Sequence, residues 1–214
     1  MTRFFVALLN FLKKAQSNLK DMDTSNEQEI INQLRNPSQR RAAFAKVVSI
    51  YSQPLYWQIR RMVTWHDDAD DVLQNTFLKA WMGIENFRGE SRLSTWLHRI
   101  AYNETLTFLS HQHETVSLDM GIGEHDDGDS DEASLTLAGT LESDTYFDGD
   151  KAEALLQAAV ASLPAKQRAV FTMKYFDEMK YEEMAEVTGT SVGALKASYH
   201  LACKKIEDFF HRRE

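Results

Sequence analysis

Thr188-Gly189-Thr190-Ser191 constrains the fold of this chain more than any other stretch, because it interrupts helical periodicity for only four residues. Before it, Met184, Ala185 and Val187 give a short helix one apolar face. After it, Val192, Leu195, Tyr199, Ala202, Ile206 and Phe209 recur at three- and four-residue steps along a longer one. Gly189 can take positive φ and end the first helix, and the Ser191 hydroxyl can cap the second. The small side chain of Ala185 lets the second helix cross closely over the first. The pattern predicts a helix-turn-helix.

A purely structural helical hairpin would carry the same turn, so the opposite face decides. No acidic residue lies between Val192 and Lys205, while Ser191, Lys196, Ser198, His200, Lys204 and Lys205 are polar or basic. Such side chains meet phosphates and base edges, which predicts DNA binding. The net charge of −8 opposes this only until it is located along the chain. Residues 111–150 hold twelve Asp or Glu and no Lys or Arg, and without them the net charge becomes +4. The global charge therefore says little about the DNA-facing half.

Only three prolines and nine glycines, with few alternating β-branched runs, predict an all-α protein of two small helical domains joined by an acidic flexible linker. The domains are assigned as 26–112 and 151–214, with the linker at 113–150 and an N-terminal extension at 1–25. In the first domain, Phe44, Val47, Val48 and Tyr51 form one stripe, and Ser52-Gln53-Pro54 reads as a stop and restart. Asp67, Asp68, Asp70 and Asp71 crowd the start of a third helix, where the dipole favours carboxylates. Val72, Phe77, Leu78, Trp81 and Met82 supply that helix's apolar residues. Ser91 is the expected cap of a fourth helix with the stripe Leu93, Trp96, Leu97, Ile100 and Phe108. The linker loses periodicity and has the composition of a solvated spacer.

Cys203 stands alone, which excludes an internal disulfide and a multi-cysteine zinc site. His111, His113 and His125, with Asp126 and Asp127, lack the spacing of a metal site, and no cofactor is expected. The apolar run at residues 4–12 is broken by Asn10, is followed by Lys13-Lys14 without a small-residue cleavage site, and is short of the ~20 residues that span a bilayer. It is read either as an amphipathic segment that packs on something or as upstream of a working start at Met22, the second being favoured. No membrane insertion is expected, and the expected location is cytoplasmic.

Two blocks of sequence carry a family resemblance. The first is Asp70-Asp71-Val72-Leu73-Gln74-Asn75-Thr76-Phe77-Leu78-Lys79-Ala80-Trp81, then Phe87-Arg88-Gly89-Glu90-Ser91, then Thr95-Trp96-Leu97-His98-Arg99-Ile100-Ala101-Tyr102-Asn103. The second is Leu163-Pro164-Ala165-Lys166-Gln167-Arg168-Ala169-Val170-Phe171, then Tyr181-Glu182-Glu183-Met184-Ala185, then Ser191-Val192-Gly193-Ala194-Leu195-Lys196. In this order, separated by a variable linker, they resemble regions 2 and 4 of the extracytoplasmic-function (ECF) group of bacterial sigma factors.

The resemblance implies a factor that binds core RNA polymerase through the β′ clamp helices and the β flap, recognises the −10 and −35 promoter elements and promotes DNA melting. It implies that Asp71, Gln74 and Asn75 meet the β′ clamp helices. It implies that Arg88, Ser91, Arg92, Ser94, Thr95, Trp96, Arg99 and Asn103 open the −10 element and hold its strand. Trp96 also lies on the core stripe, and packing is its expected job. In region 4, Ser191, Val192, Gly193, Ala194, Lys196, Ala197, Ser198, His200 and Lys204 would face the −35 major groove, with Arg168 on a phosphate.

The resemblance further implies an anti-sigma factor as a partner. The chain departs from the pattern at Ser198, Leu201 and Cys203, often basic in the family, and at Lys180, where a capping Ser or Thr is common. An alternative reading is a helix-turn-helix regulator whose N-terminal bundle binds a ligand or dimerises. No catalytic constellation or phosphate-binding Gly loop is present, so no enzymatic activity is expected.

Overall fold

The computed structural model describes residues 24–63, 65–119 and 151–212. Met22 and the acidic stretch 120–150 lie outside the described residues. The first half folds as α1 (Thr24–Arg35), α2 (Pro37–Arg60), α3 (His66–Gly83) and α4 (Leu93–Asp119), with a 3₁₀ turn at Ile84–Asn86. The second half folds as α5 (Lys151–Ala161), α6 (Ala165–Tyr175), α7 (Tyr181–Thr188) and α8 (Val192–His211). No strand occurs among the described residues, as an all-α fold requires.

Local chemistry sets several of these boundaries. Asn36 caps α2 by accepting the Ser38 amide at 3.1 Å, and Pro37 occupies the first helical position, where a missing N–H costs nothing. Pro54 departs from the expected restart, because α2 runs straight through it. Proline removes one i→i−4 bond, but Tyr51, Leu55 and Ile59 on the same face are fully buried and hold the helix continuous. α4 also outruns its expected end at Gln112 and continues to Asp119.

Val47, Tyr51, Leu55 and Ile59 of α2 pack with Val72 and Ala80 of α3 and with Leu93, Leu97 and Ala101 of α4. A second cluster joins Ala158, Ala159 and Leu163 to Phe171, Ala202, Ile206 and Phe209. The first cluster does not stop at the linker. It continues into Ala169, Val170 and Met173 of α6, Met184 and Val187 of α7 and Leu195 of α8, so the helix-turn-helix half is docked on α4 of the bundle. Each fully buried Val, Leu or Met contributes about 1.5–3 kcal/mol of transfer free energy.

Polar groups stitch the same seam. Arg61 pairs with Asp177 at 2.5 Å, with side-chain exposures of 7% and 12%, and its guanidinium lies 4.7 Å from the Phe176 ring centre. Burial raises the Asp177 pKa more than the Arg61 charge and hydrogen bond lower it. The pair is therefore closely matched against its desolvation, and losing either partner would strand a buried charge.

Candidate nucleic-acid interface

The helix-turn-helix is built as its residues dictate. Gly189 adopts φ 68° and donates its amide to the Ala185 carbonyl at 2.9 Å, closing α7. The Ser191 hydroxyl accepts the Ala194 amide at 3.3 Å and opens α8. Lys180 has no acceptor on its side chain, but its backbone N–H donates to the Glu183 carboxylate at 3.1 Å, which supplies half of a capping box. Leu195 is turned inward, which leaves Ser191, Gly193, Ala194, Lys196, Ala197, His200 and Lys204 exposed along one side of α8, with Val192 and Ser198 half-buried. Lys196 rests 5.6 Å from the Tyr181 ring centre.

In the first half, Arg88, Arg92, Arg99 and Asn103 are exposed, whereas Thr95 is buried and Ser91, Ser94 and Trp96 are half-buried. Trp96 packs on Phe87 with ring centres 5.0 Å apart, and a Cβ built at Gly83 would sit 3.4 Å from its ring, so packing occupies much of its surface. Ser91 is not the cap of α4. The first helical amide, that of Leu93, is taken instead by the Glu27 carboxylate of α1 at 2.6 Å.

Arg168, expected at a phosphate, is placed elsewhere. It donates to Met62 of the bundle at 2.7 Å, to Leu163 at 3.2 Å and to the Ala161 carbonyl. Burial lowers its pKa to about 10, still far above neutrality, so it stays a cation spent on carbonyls in this arrangement. The loop Gly89–Arg92 shares a cleft of about 390 Å³ with Glu27, Glu183 and Glu186. Carboxylates from α7 thus face the loop that the sequence assigned to a nucleic-acid strand.

Two family descriptions match this chain: Sigma-70 region 2 at residues 47–115 and Sigma-70, region 4 at residues 153–206. The ECF RNA polymerase sigma factor SigW of Bacillus subtilis (strain 168) is 30% identical over 163 residues, covering 74% of this chain and 83% of the relative. The chain belongs to the ECF RNA polymerase sigma factors.

The ECF RNA polymerase sigma-E factor of Haemophilus influenzae is 28% identical over 166 residues, covering 78% of this sigma factor and 86% of the relative. Two solved structures share the fold. CnrH in complex with the cytosolic domain of CnrY aligns with a TM-score of 0.60 at 21% identity, over 88% of this chain and 99% of that one. RpoE in complex with the anti-sigma factor NepR from Bartonella quintana aligns with a TM-score of 0.59 at 21% identity, over 78% and 96%. Among the described residues, no helix of the sigma factor is long and apolar enough to cross a membrane.

On α3 of the sigma factor, Asp71, Gln74 and Asn75 are exposed together on one face. The next positions on that face depart from the expected core assignment. Leu78 is 50% exposed and Met82 74% exposed, while Val72 and Ala80 on the opposite side are buried. Asp68, near the start of α3, has its pKa raised first by burial and then by Asp71 and Asp67. Sequence reasoning also missed Glu27, because nothing local links a glutamate in α1 to an amide 66 residues away.

Proposed function

We propose that this sigma factor reads the −35 element with the exposed side of α8 and the −10 element with the Arg88–Asn103 segment, while α3 carries it on core RNA polymerase. On the polymerase side, Asp71, Gln74 and Asn75 meet the β′ clamp helices, with Leu78 and Met82 adding apolar contact at the end of the same face. The second domain is expected to engage the β flap. The protein acts in the cytoplasm as a non-enzymatic subunit, since the chemistry of RNA synthesis belongs to the polymerase. A cognate anti-sigma factor is the expected regulator, and one fold neighbour, RpoE, is described in complex with the anti-sigma factor NepR.

The observation that carries the reading is the outward side of α8 from Val192 to Lys205, which holds no acidic residue and is set by a Gly189 turn and a Ser191 cap. The two promoter surfaces must also part to do this work. Centres about 25 base pairs apart lie roughly 85 Å apart along B-form DNA. A compact chain of this length has a radius of gyration near 17 Å, or a diameter of about 45 Å. The α4–α7 seam therefore opens on the promoter, and that frees Arg168 for a phosphate.

The reading is tested by run-off transcription with core polymerase on promoter templates. Lys196→Glu is expected to reduce −35-dependent initiation at least tenfold while core binding is kept, because a carboxylate would face the phosphates. Asp71→Lys combined with Gln74→Ala is expected to lose core binding and keep the fold. Absence of any promoter-specific transcript with folded wild-type protein would sink the reading, and loss of core binding by Lys196→Glu would reverse the assignment of faces.

A further inference from the structure

We infer that α1 is a brace for the promoter-strand loop, with Glu27 and Arg35 as positioning residues that hold its two ends. This rests on the −10 reading of Arg88–Asn103 given above. α1 lies outside the matched region 2 segment, which begins at residue 47. Yet it reaches the loop twice, by hydrogen bonds spanning 66 and 53 residues of sequence.

At the far end of the loop, Glu27 is only 6% exposed. One carboxylate oxygen accepts the Leu93 amide at 2.6 Å, and the other lies 3.7 Å from Arg92 Nε. A carboxylate at the first amide of α4 caps the helix and meets the positive end of its dipole. At the near end, Arg35 Nη2 donates to the Arg88 carbonyl at 2.7 Å. Beside that contact, Gly89 turns the chain at φ 75°, and a Cβ built there would sit 3.5 Å from Arg35 Nη2.

The geometry matches end to end. Residues 27 and 35 are about 12 Å apart along a helix rising ~1.5 Å per residue, and the five-residue loop Arg88–Arg92 is strung between them. Ile30, Ile31 and Leu34 are buried, so the helix that carries both anchors is fixed to the core. The Arg88 and Arg92 side chains stay exposed in this arrangement. A loop held in its working shape loses less entropy on binding, and the gain falls on the step that uses the loop.

The test uses the full-length factor assembled with core polymerase and a promoter fragment on which the wild type initiates. Affinity is measured for the single-stranded non-template −10 segment and for the −35 duplex, alongside affinity for core. Glu27→Ala and Arg35→Met should each weaken −10 strand capture about tenfold, the scale of a lost hydrogen bond to a charged group. Core and −35 duplex affinity should stay unchanged. Glu27→Gln keeps an acceptor for the Leu93 amide and should weaken capture less, and it carries the test together with Arg35→Met if Glu27→Ala fails to fold. Unchanged −10 capture in folded Glu27→Gln and Arg35→Met overturns the brace, and so does an equal loss in all three affinities, which would mean general scaffolding. Wild-type protein that initiates but captures no −10 strand would overturn the underlying reading of the loop instead.

Discussion

The two regions proposed to face the promoter are held in opposite ways. In the helix-turn-helix, the bonds that shape the α7–α8 turn close within four residues: Gly189 to Ala185, Thr190 to Thr188 and Ser191 to Ala194. In the bundle, the Arg88–Arg92 loop is held by Glu27 and Arg35 from a helix far away in sequence. Local bonding sets the turn and the start of α8 from the few residues around them. Remote bonding makes a loop whose shape depends on the whole bundle, so its function is exposed to any change that loosens the core.

That contrast also explains what could be read before the fold was known. The turn at Gly189, the cap at Ser191 and the inward stripe through Leu195 are written at spacings of one helical turn, and all three stand in the structure. The assignments that moved were those fixed by tertiary contacts. Leu78 and Met82 satisfy an apolar pattern but face outward, because Val72 and Ala80 are the side of α3 that meets the core. Pro54 carries a stop signal that packing of Tyr51 and Leu55 overrides. Arg168 is placed at a phosphate by the resemblance, whereas its bond in the closed body to the carbonyl of Met62, 106 residues away, leaves no mark in the sequence.

Three changes would break or sharpen the comparison, the largest first. Asp177→Ala removes the counter-ion of buried Arg61 and should cost about 3 kcal/mol in urea unfolding if the seam is closed in solution. A loss under about 1 kcal/mol would mean that water already reaches the pair and that the remote contacts hold less than the local ones. Gly189→Ala places a side chain at φ 68° with nothing within 4 Å of its Cβ, so only backbone strain is added. The expected loss is about 1–2 kcal/mol of stability, read as a lowered urea midpoint with an unchanged m-value. No loss would show that the turn does not require its left-handed residue.

The effect that is smallest at neutral pH belongs to His98 and is read only in acid. Burial lowers the His98 pKa from 6.5 to about 4, opposed by the Glu183 charge across the seam. The unfolded chain takes up that proton first, so the stability present above pH 6.5 should decline as pH falls towards 4. His98 also faces Gln58, whose side-chain amide donates back to the His98 carbonyl at 3.5 Å. Replacing it by Gln should flatten the stability profile between those values. An unaltered slope would remove His98 from the account of the seam.

The central claim is that one closed body becomes a reader of two separated DNA elements. It is tested most directly by the distance between spin labels at Asn86→Cys, beside the −10 loop, and Glu207→Cys, at the end of α8, in a Cys203→Ala background. Free in solution, the pair should lie well within the roughly 45 Å diameter of a compact chain this size. Bound to core polymerase on promoter DNA, the separation should lengthen beyond that diameter. A distance that stays short in the transcribing complex would contradict the account.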